Sequence, residues 1–404
     1  MKIKLIIAFF FLSVFYIASA QPEKALTQKQ TFTDEGYDFT VIFDLKATPV
    51  KNQANTGTCW CFATTSFIES ELLRMGRGEY DLSEMFIVRY NYVDKLKDNY
   101  LRQGRGNLGQ GSLSHDWMMI FAKKGIVPEE VYPGLNYGSA IHNHGELNAF
   151  INAVASVPVQ RKQESPQYHQ IVNAILDIYF GKVPETFTYR GVTYTPESFA
   201  ASLGINPEDY VEITSFTHFP FYTRGIVEVP DNWRMEKFYN VTLDELIEII
   251  DYSLSNGYTI AWDGDVSERG FMHLRGIAII PENELSETFP PAVRQGFETE
   301  SVHGRRDVKT RKDWPIPEQN INQEIRQAGF ENFSTTDDHM MHITGLVKDR
   351  FGKKYYKTKN SWGTGGNPFN GYLYMSENYV KAKTIFIMVH KNGIPPAIRV
   401  KLGI

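Results

Sequence analysis

Two cysteines occur in 404 residues, Cys59 and Cys61, one on each side of Trp60. Neighbours this close rarely meet disulfide geometry. The fold must therefore be held by buried apolar surface, and at least one thiol is left for chemistry. The material for a core is present: 42% of residues are hydrophobic, with 27 Phe and 22 Tyr. Such a chain supports one large or two ordinary domains, and its aromatic content argues against disorder. The formal net charge of -5 shows no basic excess, so nucleic acid is not an expected partner.

Residues 1–20 read as a secretory signal peptide. Met1-Lys2-Ile3-Lys4 gives a basic start, 5–17 an apolar run, and Ala18-Ser19-Ala20 a small-residue end. The apolar run is shorter than the roughly 20 residues that a spanning helix needs, and Gln21-Pro22-Glu23-Lys24 follows at once. Cleavage near Ala20 implies a secreted or periplasmic protein. Extracellular chains often carry disulfides, so the lone close pair sets this one apart.

Residues 21–51 form a short leader containing Val41-Ile42-Phe43. Helical spacing of Phe62, Ser66, Ile68, Leu72 and Met75 predicts a helix over 59–75. Asp81-Leu82-Ser83-Glu84 opens a second, and a third near 115–124 stops at Gly125. Residues 136–230 read as a separate unit, mostly helical over 148–180, with a hairpin over 187–194 turning at Gly191 and a helix starting at Thr195-Pro196. An amphipathic helix over 243–254 and a strand over 258–263 come next, then a polar stretch over 282–337. Its basic run of Arg305, Arg306, Lys309, Arg311 and Lys312 reads as a solvated loop. The end is strand-rich: 340–347 and 355–359 flank a turn at 349–352, and 371–375 and 385–390 follow. Helices first and strands last indicate an α+β fold. The organisation expected is 1–20 signal, 21–135 helical part, 136–230 insertion, and 231–404 β-rich part.

The chemistry concentrates in Asn52-Gln53-Ala54-Asn55-Thr56-Gly57-Thr58-Cys59-Trp60-Cys61-Phe62-Ala63. A thiol at a helix start meets the positive end of the macrodipole, which favours the reactive thiolate. Gln53, six residues upstream, is positioned to donate its amide to an oxyanion beside the sulfur, with the Cys59 N–H as second donor. A nucleophile also needs a base, and the base an orienter. Asp338-His339-Met340-Met341-His342 and Lys359-Asn360-Ser361-Trp362-Gly363 supply both on adjoining strands. Asn360 would hold one ring nitrogen of the histidine, leaving the other for sulfur, and Trp362 would shield that bond from water.

These three segments, in this order, resemble the papain family of cysteine peptidases. The resemblance implies a helical left lobe and a β-barrel-like right lobe, with Cys59 as nucleophile, His339 as base, Asn360 as orienter and Gln53 in the oxyanion hole. It also implies that Gly109-Gln110-Gly111-Ser112 lines the substrate cleft, so Gly109, Gly111 and Trp362 are substrate-binding candidates. Two positions depart from the family: Thr56 lies where a disulfide cysteine is usual, and Cys61 where a small residue is usual. His339 and His342 compete for the base. On a strand they point opposite ways, and Asp338 before His339 with Gly345 six after it fits the family pattern. Cys59 and His339 are 280 residues apart, against about 130–150 in papain, so a domain-sized insertion lies between. The bleomycin hydrolase and aminopeptidase C branch has such an insertion. Pro184-Glu185-Thr186-Phe187-Thr188-Tyr189, Thr195-Pro196-Glu197-Ser198-Phe199 and Trp262-Asp263-Gly264-Asp265-Val266 resemble that branch.

The expectation is a secreted cysteine peptidase acting on peptide substrates, without metal or organic cofactor, as an aminopeptidase or alternatively an endopeptidase. The branch is typically a hexamer whose C-terminal tail lies in the cleft and restricts cleavage to the substrate N-terminus. Here 391–404 is short. A non-catalytic peptide-binding protein is disfavoured by the intact Gln/Cys/His/Asn set, and transglutaminase-like transfer by Asn360, where those enzymes usually have Asp. His142-Asn143-His144 lacks a third metal ligand at suitable spacing and reads as a surface loop. Asp263 and Asp265 resemble an acid pair, but a paired-carboxylate mechanism would leave the Cys/His/Asn set unexplained. Gly104 to Gly111 has no Lys-Ser/Thr ending and is not a phosphate loop.

Overall fold

The computed structural model describes residues 37–282 and 316–404. In chain order the elements begin with β1 (Thr40–Asp44), α1 (Cys59–Arg74), α2 (Glu84–Leu101), α3 (Ser114–Lys124), α4 (Gly145–Arg161) and α5 (Pro166–Phe180). They continue with β2 (Phe187–Tyr189), β3 (Val192–Tyr194), α6 (Pro196–Leu203), β4 (Tyr210–Thr214), β5 (Arg224–Ile226), β6 (Lys237–Asn240), α7 (Leu243–Ser255) and β7 (Ile260–Gly264). Then come β8 (Phe271–Met272), β9 (Ile277–Ala278), α8 (Gln323–Glu331), β10 (His339–Lys348), β11 (Lys354–Lys359), β12 (Tyr372–Ser376), α9 (Glu377–Lys383), β13 (Thr384–His390) and α10 (Pro396–Leu402).

Local chemistry explains most boundaries. Ser83 caps α2 by accepting the Phe86 N–H, and Thr242 and Glu245 form a reciprocal capping box on α7. Gly125 ends α3 at φ +75. A Cβ there would meet the Pro196 carbonyl oxygen at 2.2 Å, where α6 begins. Only glycine meets both demands.

The described strands, apart from the β2–β3 hairpin, form one sheet in the order β5-β6-β4-β13-β7-β10-β11-β12-β9-β8, with β1 also on β10. Alternation along the strands divides the core into two faces. Ala261, Met340, Phe386 and Met388 pack with α1, α2 and α3. Ile260, Trp262, Met341, Ile343, Ile387 and Val389 pack with α7 and α10 on the other side. Helix α1 is buried nearly all round, 14 of its 16 residues. Its two glutamates are inside rather than on a solvated face. Glu69 accepts from Thr48 Oγ1 at 2.5 Å and from the Leu82 N–H at 2.8 Å, and Glu71 pairs with Arg74 at 2.7 Å.

Several expectations change. The leader contributes β1, paired antiparallel with β10 from Thr40↔Lys348 to Asp44↔Gly345, so part of it belongs to the sheet. The unit expected over 136–230 is not separate along its whole length. β4 pairs with β13 and β5 with β6 in the main sheet, while α4, α5 and α6 share the core of α1 and α2. A chain that leaves a sheet to fold elsewhere must return, and β4 to β6 are the return. In the polar stretch over 282–337, α8 carries a buried Arg326 that donates to the Ser215 and Lys381 carbonyls. The basic run at 305–312 lies outside the described residues, as does the signal segment.

His142-Asn143-His144 is not a surface loop. The Asn55 N–H donates to the His142 carbonyl and the His144 N–H to the Asn55 carbonyl, which ties this segment to the loop before Cys59. His144 is fully buried with neither ring nitrogen bonded, edge-on to Phe180 at 5.1 Å. Among the described residues no group of three or more His, Cys, Asp or Glu is placed to hold a metal ion. Burial, and then His142, hold the His144 imidazole down at about 3. An unfolded imidazole takes up its proton near 6.5, so the unfolded state binds more protons between those values. The stability this group contributes is full above about pH 6.5 and is lost as pH falls toward 3. His144→Phe removes that loss. Its melting temperature relative to the wild type should climb steadily from pH 7 to pH 4; a pH-independent difference in calorimetric scans would refute this.

Candidate active site

Helix α1 starts at Cys59 without a side-chain cap, because the Thr58 hydroxyl pairs with Thr56 Oγ1 at 2.6 Å instead. The first N–H groups of the helix therefore remain for other use. The Cys59 sulfur takes a hydrogen bond from the backbone of Met340, which places it one residue along β10 from His339. His339 Nε2 bonds Asn360 Oδ1 at 2.7 Å. An amide oxygen only accepts, so Nε2 carries the proton and Nδ1 is the free, basic nitrogen. Trp362 covers the imidazole at 4.8 Å between ring centroids.

Gln53 is braced on the same strand end as Asn360. Its Oε1 accepts from Ser361 Oγ at 2.6 Å and its backbone N–H donates to the Ser361 carbonyl at 2.8 Å. Nε2 donates to the Thr56 carbonyl at 2.8 Å. A primary amide has two such hydrogens, so one remains. Gly109 and Gly111 lie along the other side of the helix start. Gln110 between them accepts the Gly57 N–H through its side chain at 2.8 Å and the Trp60 indole N–H through its carbonyl at 3.1 Å. Lys95 underpins the strip by donating to both glycine carbonyls.

His342 goes elsewhere. Its Nδ1 meets Ser66 Oγ at 2.8 Å, two turns down α1 from Cys59, and Lys359 joins the same hydroxyl at 2.7 Å. Cys61 is fully buried, its thiol donating to the Glu84 carbonyl at 3.2 Å, and burial pushes it well above the ordinary range.

Sequence reasoning missed two features here. His273 comes from a distant loop to within 3.3 Å of Asn360 Nδ2 and stacks edge-on against Trp362 at 4.7 Å. Asp231 and Asp337, with Asp263, act electrostatically on Cys59. No motif marks His273 or Asp231, while Asp263 and Asp337 stand in or beside segments singled out above, and only the fold brings them toward Cys59.

Burial pushes the Cys59 thiol up to about 12, with the three aspartates adding to the effect and the Met340 hydrogen bond opposing it. Burial lowers His339 to about 4 against the Asn360 bond. Both shifts favour a neutral thiol beside a neutral imidazole. The thiolate expected from the helix start is thus opposed by desolvation, which outweighs a macrodipole worth at most about 2 kcal/mol.

Residues 37–277 match the family model of papain family cysteine proteases, a span that contains Gln53 and Cys59. The chain is 24% identical over 395 residues to aminopeptidase C of Streptococcus thermophilus, covering 88% of this chain and 83% of that protein. It is 22% identical over 391 residues to aminopeptidase C of Lactococcus lactis subsp. cremoris, covering 86% and 82%. A crystal structure of PepW from Lactobacillus rhamnosis superposes with a TM-score of 0.66 at 18% identity, over 90% of this chain and 84% of that one, which shows a shared fold. The chain belongs to the papain family and is a cysteine peptidase of that fold. Within the family its full-length likeness puts it in the aminopeptidase C and bleomycin hydrolase branch.

Native-state alkylation should separate the two thiols. Iodoacetamide is expected to modify Cys59 and to spare Cys61 until the chain is unfolded, as read by peptide mass mapping. Labelling of Cys61 in the folded protein would contradict its placement.

Proposed function

We propose that this protein is an exported cysteine aminopeptidase that hydrolyses peptide bonds through an acyl-enzyme on Cys59. The observation that carries the chemistry is the His339–Asn360 bond of 2.7 Å, with the sulfur held by the next residue, Met340. As sulfur attacks the peptide carbonyl, its proton is taken by His339 Nδ1, the ring nitrogen that the Asn360 bond leaves free. The oxyanion forms at the uncapped start of α1, where the Cys59 N–H and the spare Gln53 Nε2 hydrogen stabilise it. The imidazolium protonates the leaving amine, and the neutral ring then activates water for deacylation. Asn360 keeps the ring in the required tautomer throughout.

The aminopeptidase reading is supported by full-length likeness to proteins named aminopeptidase C. Endopeptidase action is favoured by a different observation. The C-terminal tail, which the branch resemblance would put in the cleft, runs as α10 over α7. Ile398 and Leu402 enter the core on that face, and Lys401 pairs with Glu245 at 2.6 Å. A homo-hexamer is carried over from the branch resemblance and rests on it alone. Export rests on residues 1–20.

Alanyl-aminomethylcoumarin hydrolysis tests the reading. Cys59→Ala should abolish it and His339→Ala should lower kcat by roughly 10²–10⁴-fold, whereas folded His342→Ala should stay within a few-fold of wild type. Loss with His342→Ala and retention with His339→Ala would reverse the assignment. Processing is checked separately: the mature protein should begin at Gln21 by N-terminal sequencing, and an intact Met1 in secreted material would exclude cleavage.

A further inference from the structure

Asn360 holds the base only as long as its own amide stays in place. Its Oδ1 accepts from His339 Nε2 and from the Ser361 N–H, each at 2.7 Å. A backbone N–H cannot reverse its role, so Ser361 fixes which end of the amide faces the base. The other end, Nδ2, meets His273 Nδ1 at 3.3 Å. An amide nitrogen only donates, so His273 Nδ1 accepts, and the His273 ring is neutral with its proton on Nε2. Burial keeps that ring down at about 4, so the lone pair is present at neutral pH.

The surrounding chain is built to keep His273 there. The residue opens a 3₁₀ turn (His273–Arg275) between β8 and β9. Its carbonyl accepts the Gly276 N–H at 2.8 Å and Asn367 Nδ2 at 2.7 Å. Gly276 closes the turn at φ +69, where a Cβ would fall 2.1 Å from the Phe369 ring, so glycine is required twice over. β9 then joins β12, pairing Ile277 with Tyr374, which ties the turn to the sheet that carries His339. The indole of Trp362 touches both imidazoles, 4.8 Å from His339 and 4.7 Å from His273 between ring centroids. Asn360 is buried, so an Nδ2 that lost its acceptor would carry a cost and draw the amide out of place.

We propose that His273 is a positioning residue for the base: by accepting from Asn360 Nδ2 it holds the amide plane so that Oδ1 stays on His339 Nε2. The series Cys59, His339, Asn360 is thereby extended by a second imidazole, which acts through Asn360. The geometry stands by itself, and its effect on rate rests on the peptidase reading. With the amide held at both ends, His339 keeps its proton on Nε2 and its lone pair on Nδ1, the nitrogen that serves Cys59. Without the acceptor the amide swings, the Nε2 proton exchanges with water, and the base spends time in an unproductive orientation.

Two substitutions separate the acceptor from the ring. His273→Asn keeps an acceptor near the place of Nδ1 and loses the ring, whereas His273→Phe keeps a ring against Trp362 and loses the acceptor. The first readout is the His339 Nε2–H resonance in a nitrogen–proton spectrum of the imidazoles, assigned by its absence in His339→Gln. It should be sharp in the wild type and in His273→Asn, and broadened by solvent exchange in His273→Phe. The second is coumarin release from alanyl-aminomethylcoumarin and its N-acetyl form. There kcat should fall about three- to tenfold in His273→Phe, the range a lost neutral hydrogen bond gives, with KM unchanged, and stay within about twofold of wild type in His273→Asn. An unchanged resonance in His273→Phe would overturn the positioning role, as would impairment by His273→Asn alone, the mark of a ring that only packs. A wild type that cleaves neither substrate, while the resonance responds as expected, sinks the peptidase reading and leaves the positioning role standing. Should His273→Phe lose its cooperative melt, His273→Leu, close in shape to the Asn variant, makes the same comparison.

Discussion

Helix α1 lies on strand β10, and the chemistry of the molecule depends on that packing. Cys59 opens the helix and His339 opens the strand. The two residues are brought together because the apolar side of α1 needs cover and Met340 on β10 supplies it. The hydrogen bond from the Met340 backbone to the sulfur is a by-product of that packing. Neighbouring strands then hold the rest: β11 delivers Asn360 just past its end, and β7 delivers Asp263 opposite Met340.

The same packing sets the electrostatics. A helix start buried against a sheet excludes water, and water is what a thiolate and an imidazolium need. Desolvation opposes a lone charge on either group. The preorganised donors have charge to stabilise where it appears as the bond forms. Asp231, Asp263 and Asp337 add to the effect of burial on the thiol.

The inserted chain is not a bystander to this arrangement. Helices α4 and α5 pack on α2, and β4 returns to the sheet beside β13. The buried His142 to His144 segment clasps the loop that carries Gln53 toward the helix start. The insertion thus extends the helical lobe and braces the oxyanion side of the site.

Much of this was legible in the sequence. The boundaries of α1, α3, α7 and the β10–β11 pair follow from periodicity, caps and turn residues, which act within a few residues of chain. Gln53, Cys59, His339 and Asn360 stand in short motifs, so each could be named from its neighbours. The contributions of β1, β4 and His273 could not, because nothing local says which strand a short apolar run will pair with. Glu69 and Glu71 are carboxylates within a largely apolar helix, and only their tertiary partners let them be buried. The tail's path over α7 and the convergence of Asp231, Asp263 and Asp337 were also decided only in three dimensions. A sequence determines local geometry and the identity of reactive groups through short-range sterics and hydrogen bonds. Which distant charges meet, and whether water remains to screen them, is settled by packing of the whole chain.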